Sequence, residues 1–213
     1  MKRIRTSPRK TPVQKRSKQM VDDILSGAIR VLKRQGGRHF TTVHVAEAVG
    51  ISVGSLYQYF PNKDAILFEI QRLEWTETSR STLDTLADMK MPPLDRLKRM
   101  IVQFFKSELE EADLRKAIAE TGLVVEDTDD FRAIADRVFL AMLGFLEEIL
   151  PHASHAQRRF LAQFLSLTVR SLAEKLTTQV HSPAEIQRWA QACTKMVVAF
   201  LRESSSGGPL MKA

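Results

Sequence analysis

Cysteine is almost absent from this chain: Cys193 is the only one in 213 residues. No internal disulfide can form, and a reducing, cytoplasmic setting is the default expectation. Long hydrophobic runs are also missing. The longest apolar stretches, such as Val138–Leu146, fall well short of the ~18 apolar residues that cross a bilayer, so no membrane partner is expected. The N-terminus is basic but has no apolar run behind it, which argues against a secretory signal. There is no convincing period-two strand, no internal repeat, no G-x-G-x-x-G and no Walker sequence, so a nucleotide cofactor has no support and none is expected. Acidic residues are scarce in the first third, where residues 1–60 hold only Asp22, Asp23 and Glu47.

Against those three acids stand twelve Lys/Arg, whereas residues 61–213 hold twenty Lys/Arg and twenty-two Asp/Glu. The net charge of +7 therefore comes entirely from the first third. A localised basic surface is what phosphate binding needs. Hydrophobic residues make up 44% of the chain, enough for a sizeable core.

Met1–Lys18 is basic, with Pro8 and Pro12 and little apolar content, and reads as a flexible arm over residues 1–18. Its Lys2, Arg3, Arg5, Arg9, Lys10, Lys15, Arg16 and Lys18 suit phosphate tracking or minor-groove entry, or else a disordered tail that only raises the association rate. From Met20, apolar residues at Ile24, Ala28, Val31 and Leu32 have helical spacing, and Gly36-Gly37 is a stop signal. Val43, Val45, Ala46 and Val49 suggest a short second helix ended by Gly50. Ser52 can cap a third through Phe60, Pro61 breaks it, and Asn62 can cap the next.

The remainder also reads as helices. One runs from Lys63 to the Thr78–Arg80 region, one from Pro92-Pro93 through Leu109, and a shorter one over Leu114–Thr121. A long helix follows from Asp129-Asp130 to Leu150-Pro151. Ser154 and Gln157 form a capping box for a helix to Thr178, and Ser182, Pro183 and Glu185 open the last. The expected fold is all-α: a three-helix helix-turn-helix domain over 19–62, a second helical domain over 63–203, and a polar tail over 204–213.

Three short helices with a glycine turn between the second and third meet the helix-turn-helix requirements. Ala46 is small where helices cross, Gly50 can take positive φ, and Ile51 and Leu56 are apolar where the helices pack. The third helix presents Val53, Gly54, Ser55, Tyr57 and Gln58 outward, with its N-terminal residues placed to meet a major groove of double-stranded DNA. Phe60 reads as core.

The run from Thr41 to Leu67, TTVHVAEAVGISVGSLYQYFPNKDAIL, resembles the tetracycline-repressor (TetR) family, most specifically over Leu56–Lys63. The resemblance covers about the first third of the chain. It implies a DNA-binding transcription regulator, not an enzyme: a homodimer with a C-terminal ligand-binding and dimerisation domain. By position it implies that Val53, Gly54 and Tyr57 face base edges, and that Thr42, Ser55, Gln58, Tyr59 and Lys63 contact or lie near phosphates. Val43 stands where some members place a base-reading arginine. A valine cannot donate a hydrogen bond, so direct polar readout is sparse and DNA shape gains weight.

Two other motifs mislead. Gly50-Ile51-Ser52-Val53-Gly54 matches G-x-S-x-G, but that nucleophile turn needs a preceding strand and a sheet. His152 and His155 are spaced i, i+3 with Cys193 distant, and read as surface or capping residues, so no metal is expected.

A regulator of this shape needs an input. Trp75, Phe104, Met142 and Phe145 are bulky apolar candidates for lining a cavity that suits an unknown apolar or amphipathic effector. Gln103, Arg137, Gln163 and Arg170 are polar groups on largely apolar helices and candidates for orienting it. The last two helices, with Phe160, Phe164, Leu167, Leu172, Trp189, Met196, Val197 and Phe200, carry enough apolar surface for a four-helix bundle with a second copy. A two-fold dimer predicts a pseudo-palindromic operator. Ligand-gated release from DNA is the expected output, with a transcriptional activator or a regulator answering a protein partner as the alternative.

Overall fold

The computed structural model describes residues 15–123, 128–179 and 182–205. Among them are eight α-helices: α1 Lys15–Gln35, α2 Thr42–Val49, α3 Val53–Tyr59, α4 Lys63–Ala87, α5 Pro93–Ala119, α6 Asp129–Ile149, α7 His155–Thr177 and α8 Pro183–Ser205. A single 3-10 turn, Gly37–His39, links α1 to α2. No strand occurs among the described residues, so the all-α expectation holds.

Several boundaries differ from expectation, each for a local reason. The arm expected over 1–18 ends sooner, because Lys15–Lys18 already form the first turn of α1; residues 1–14 lie outside the described residues. α4 runs on to Ala87, past Arg80. Its Ser/Thr-rich stretch tolerates the helix because Ser79 donates to the Thr76 carbonyl and Thr82 to that of Thr78. Thr85 and Leu86 then bury. The two helices expected over Pro92–Leu109 and Leu114–Thr121 are one unbroken α5. Glu110–Asp113 is polar but holds no glycine or proline, so nothing stops the helix there. The Ser154–Gln157 box forms only by half. Ser154 Oγ accepts from the Gln157 N–H, while the Gln157 side chain donates to the Ser204 carbonyl. Ser204 and Ser205, expected in the tail, extend α8, and residues 206–213 lie outside the described residues.

The chain forms two compact units, and they do not part at residue 62. The first comprises residues 1–75 and 113–131, and the second residues 76–112 and 132–213. In the first, Ile24, Ala28, Val31 and Leu32 of α1 pack with Phe40, Leu56 and Phe60. Leu114, Ala117 and Ile118, from the end of α5, complete that core. In the second, Phe105, Met142, Phe145, Leu146, Leu161 and Val197 are among the buried residues of a core drawn from α4 to α8.

One group in the second core is unexpected for its kind. Arg96 is 1% exposed. It donates to the Leu86 carbonyl at 2.5 Å, pairs with Glu148 and lies 5.4 Å from the centre of the Phe145 ring. Cys193 is buried in the same core, and burial pushes its thiol pKa up.

Candidate nucleic-acid interface

The turn between α2 and α3 is built from capping chemistry. Thr41, extended at φ −134°, caps α2 by accepting from the His44 N–H at 3.2 Å. Gly50 ends α2 at φ 76°, a left-handed conformation that strains other residues, and donates to the Ala46 and Glu47 carbonyls. Ile51 folds back to the Ala46 carbonyl at 3.0 Å, and Ser52 caps α3 by accepting from the Ser55 N–H at 3.0 Å. Phe60 is fully buried, as expected. Asn62 Oδ1 then accepts from the Ala65 N–H at 2.8 Å, which starts α4.

The close crossing of α1 and α2 depends on Gly27 as well as on buried Ala46. A Cβ on Gly27 would lie 2.4 Å from a methyl of Val49. The sequence offered Gly27 no special role, because its neighbour is 22 residues away.

On this frame the surface residues fall into groups. Tyr57 is 40% exposed, and its hydroxyl lies 3.0 Å from Thr42 Oγ1. This pair ties the outer face of α3 to the first turn of α2. The N–H groups of Thr42 and Val43 precede the first helical hydrogen bond of α2, Val45 to Thr41, and sit at the positive end of the helix dipole. Val43, Gly54, Gln58 and Lys63 are exposed. Val53, Ser55 and Tyr59 are half-buried. Val53 and Tyr59 pack on the core edge, while Ser55 Oγ lies 2.8 Å from Ser52 Oγ. Gly54 has only Ser52 Oγ, at 3.8 Å, near where a Cβ would stand. The protein's own packing therefore does not require a glycine there. A groove of about 700 Å³ between α1 and α2 adds positive charge through Arg30, Lys33 and Arg34.

The candidate effector residues scatter. Trp75 belongs to the first unit, 4.4 Å from the Phe131 ring, whereas the other seven belong to the second. Met142 and Phe145 are buried in the core, and half-buried Phe104 packs against it. Gln103 accepts from the Thr85 hydroxyl at 2.8 Å. Arg137, Gln163 and Arg170 are exposed, and Arg170 pairs with Glu174 on its own helix at 2.6 Å. On α4, hydrogen bonding to Glu69 raises the Arg72 pKa further, and the charges of Glu69 and Asp130 act in the same direction. Among the described residues, no cluster of His, Cys, Asp and Glu could hold a metal. No helix among them is long and apolar enough to cross a membrane.

Residues 24–70 match the description "Bacterial regulatory proteins, tetR family", and residues 92–203 match "Tetracyclin repressor-like, C-terminal domain". The chain belongs to the tetracycline-repressor family. The first of these descriptions is of bacterial regulatory proteins. Among solved structures, the TetR-family regulator PfmR from Thermus thermophilus is similar at a TM-score of 0.62 and 18% identity, covering 83% of this chain and 94% of that one. SmeT of Stenotrophomonas maltophilia, solved with triclosan, is similar at 0.60 and 20% identity, covering 85% and 91%. These likenesses show the fold. The nucleoid occlusion factor SlmA of Haemophilus ducreyi is 43% identical over 67 residues, which are 30% of this chain. The chain spans about a third of the length of the curated relatives it matches, 32% in each case.

Proposed function

We propose that this family member is a ligand-responsive transcriptional repressor that binds a pseudo-palindromic operator as a homodimer and leaves it when a small apolar or amphipathic effector binds. The observation that carries the DNA-binding part is the Thr42–Tyr57 pair. It presents a hydroxyl and an aromatic face on exposed surface, next to the unfilled N–H groups that start α2. In this reading Thr42, Ser55, Gln58, Tyr59 and Lys63 serve the phosphates, while Val43, Val53, Gly54 and Tyr57 meet the base edges. The exposed Gly54 supports it. Glycine inside a helix costs about 0.5–1 kcal/mol relative to alanine, and packing within the chain does not ask for it.

The dimer is proposed through α7 and α8. Phe160, Phe164, Leu167, Trp189 and Met196 are between 40% and 69% exposed on those two helices. Such an apolar band is what a bundle with a second copy would cover. The effector is proposed to enter the apolar cluster of the second unit near Phe104, Met142 and Phe145, with Gln103 as the polar anchor. Arg137, Gln163 and Arg170 are left out of that site, since their side chains face outward. SmeT, solved with triclosan, supports an apolar effector for this fold. A cytoplasmic location goes with the DNA target.

A second reading, a regulator answering a protein partner, draws on the likeness of the N-terminal region to a nucleoid occlusion factor. Selection of a duplex from a random library, followed by sedimentation of the complex, separates the readings. A palindrome bound by two copies and released by an apolar small molecule is expected. DNA binding without sequence preference, or unaffected by every such molecule tried, would favour the second reading.

A further inference from the structure

The turn between α1 and α2 is shaped to receive the end of α5. Gly37 is buried, and a Cβ on it would lie 1.8 Å from the Ala117 carbonyl oxygen and 2.9 Å from its carbon. The two backbones touch, with no room for a side chain between them. The Gly37 N–H donates to Glu120 Oε2 at 3.1 Å, across 83 residues of sequence. Gly36, at φ 73°, faces the same carboxylate, whose Oε2 would stand 3.1 Å from a Cβ there. Glu120 is held in turn, because its own N–H continues to the Lys116 carbonyl and Gly122, at φ 75°, closes the turn behind it.

The bonded amide lies just ahead of the DNA-facing residues. After Gly37 come the 3-10 turn, the buried Phe40, the cap Thr41, and Thr42 with its partner Tyr57. Only four positions lie from the latched amide to the α2 cap, so a shift at one end has little slack to absorb it.

We propose that Glu120 is a positioning residue for DNA binding. By holding the Gly37 N–H it fixes the start of α2, and through it the Thr42–Tyr57 pair. Glu120 itself touches no DNA. The inference rests on the reading of that pair as a DNA contact.

The test compares the full-length parent, Glu120→Ala and Glu120→Gln on a duplex that the parent has selected from a random library. Operator affinity, its salt dependence and amide hydrogen exchange over residues 36–42 are measured for each. Loss of one hydrogen bond to a solvent-exposed carboxylate, worth about what an ordinary net hydrogen bond is, predicts about fivefold to tenfold weaker binding by Glu120→Ala. The slope of log K against log salt should become shallower by about 0.9 for each phosphate that the protein ceases to neutralise. Glu120→Gln keeps an acceptor oxygen and should stay within about twofold of the parent. Exchange over 36–42 should rise in the alanine variant and not in the glutamine one. A purely structural role would lower the melting temperature and leave the salt slope of the folded protein unchanged, which overturns the proposal. Parental affinity and slope in Glu120→Ala would overturn it too. If Glu120→Ala does not fold, Glu120→Asp, with its carboxylate drawn back by one methylene, is read in the same assays. The exchange measurement needs no DNA. A parent that selects no duplex refutes the DNA-contact reading, while unchanged exchange in Glu120→Ala refutes the latch.

Discussion

Replacing Arg96 with methionine tests how the second unit is held together. The guanidinium is 1% exposed and joins α5 to two other helices: to the Leu86 carbonyl at the end of α4, and to Glu148 and the Phe145 ring on α6. Methionine keeps much of the volume, so the loss is mainly electrostatic. Breaking a buried ion pair by removing one partner costs about 3–5 kcal/mol. The Glu148 side chain is 33% exposed, so water takes up part of the stranded carboxylate and the cost falls near the lower bound, about 3 kcal/mol. The opposite substitution, Glu148→Leu, is worse. It leaves a cation that water cannot reach, facing only a carbonyl, the Met89 sulfur and a ring. The double variant removes both charges and should recover much of the loss, since apolar replacement of a whole buried pair is often neutral. The order of stability expected is parent, double variant, Arg96→Met, Glu148→Leu. Urea unfolding at one fixed protein concentration reads it, with Trp75 replaced by Phe so that Trp189, in the second unit, reports alone. At an m-value of about 2 kcal/mol per molar urea, the Arg96→Met midpoint falls by about 1.5 M. A change under about 0.5 kcal/mol in Arg96→Met, or a double variant as unstable as the worse single one, would refute the reasoning.

Other predictions concern the surfaces and the lone thiol. Removing residues 1–14 takes away Lys2, Arg3, Arg5, Arg9 and Lys10. If these meet phosphates, the salt slope of operator binding flattens by up to about 4.5, and an unchanged slope would place them off the DNA. Leu167→Glu, at a site 69% exposed in the single chain, should leave the monomer folded and break the proposed α7–α8 dimer in sedimentation; a dimer of parental strength would put the interface elsewhere. Burial raises the Cys193 thiol pKa, so little thiolate forms near neutral pH, and alkylation in the native protein should be far slower than in urea. Because the shift is upward, the stability it contributes is full below the unfolded thiol pKa and is lost as pH rises towards the folded one. Equal alkylation rates in the two states would contradict the buried placement.

Much of the frame was legible because it rests on local chemistry. Gly50, Ser52 and Asn62 announce a turn and two caps within a few residues, and the structure uses each in that role. Phe60 also reads as core from the sequence, and it is fully buried. What stayed hidden depends on distant partners. Arg96 looks like a surface residue until Glu148 meets it 52 positions on. Gly37 looks like a plain helix stop until Ala117 and Glu120 close on it. The polar run Glu110–Asp113 looked like a break, yet polarity alone does not stop a helix. The resemblance named Thr42 and Tyr57 separately, and the structure made them a pair. The polar effector candidates were the weakest part, because helical spacing does not say which way a long side chain on a partly apolar helix turns. Three of the four turn outward.

The central claim is that α3 and the start of α2 meet DNA through Tyr57. Anisotropy titration of a selected duplex and of random duplex DNA, with the parent and with Tyr57→Ala, tests it most directly. The account predicts parental preference for the selected duplex of about 10³-fold or more. It also predicts that operator affinity falls about tenfold in Tyr57→Ala, worth one good hydrogen bond, while the protein stays folded and its melting temperature drops by no more than a few degrees for the lost Thr42 contact. A Tyr57→Ala protein that is folded and binds the operator with parental affinity would contradict it.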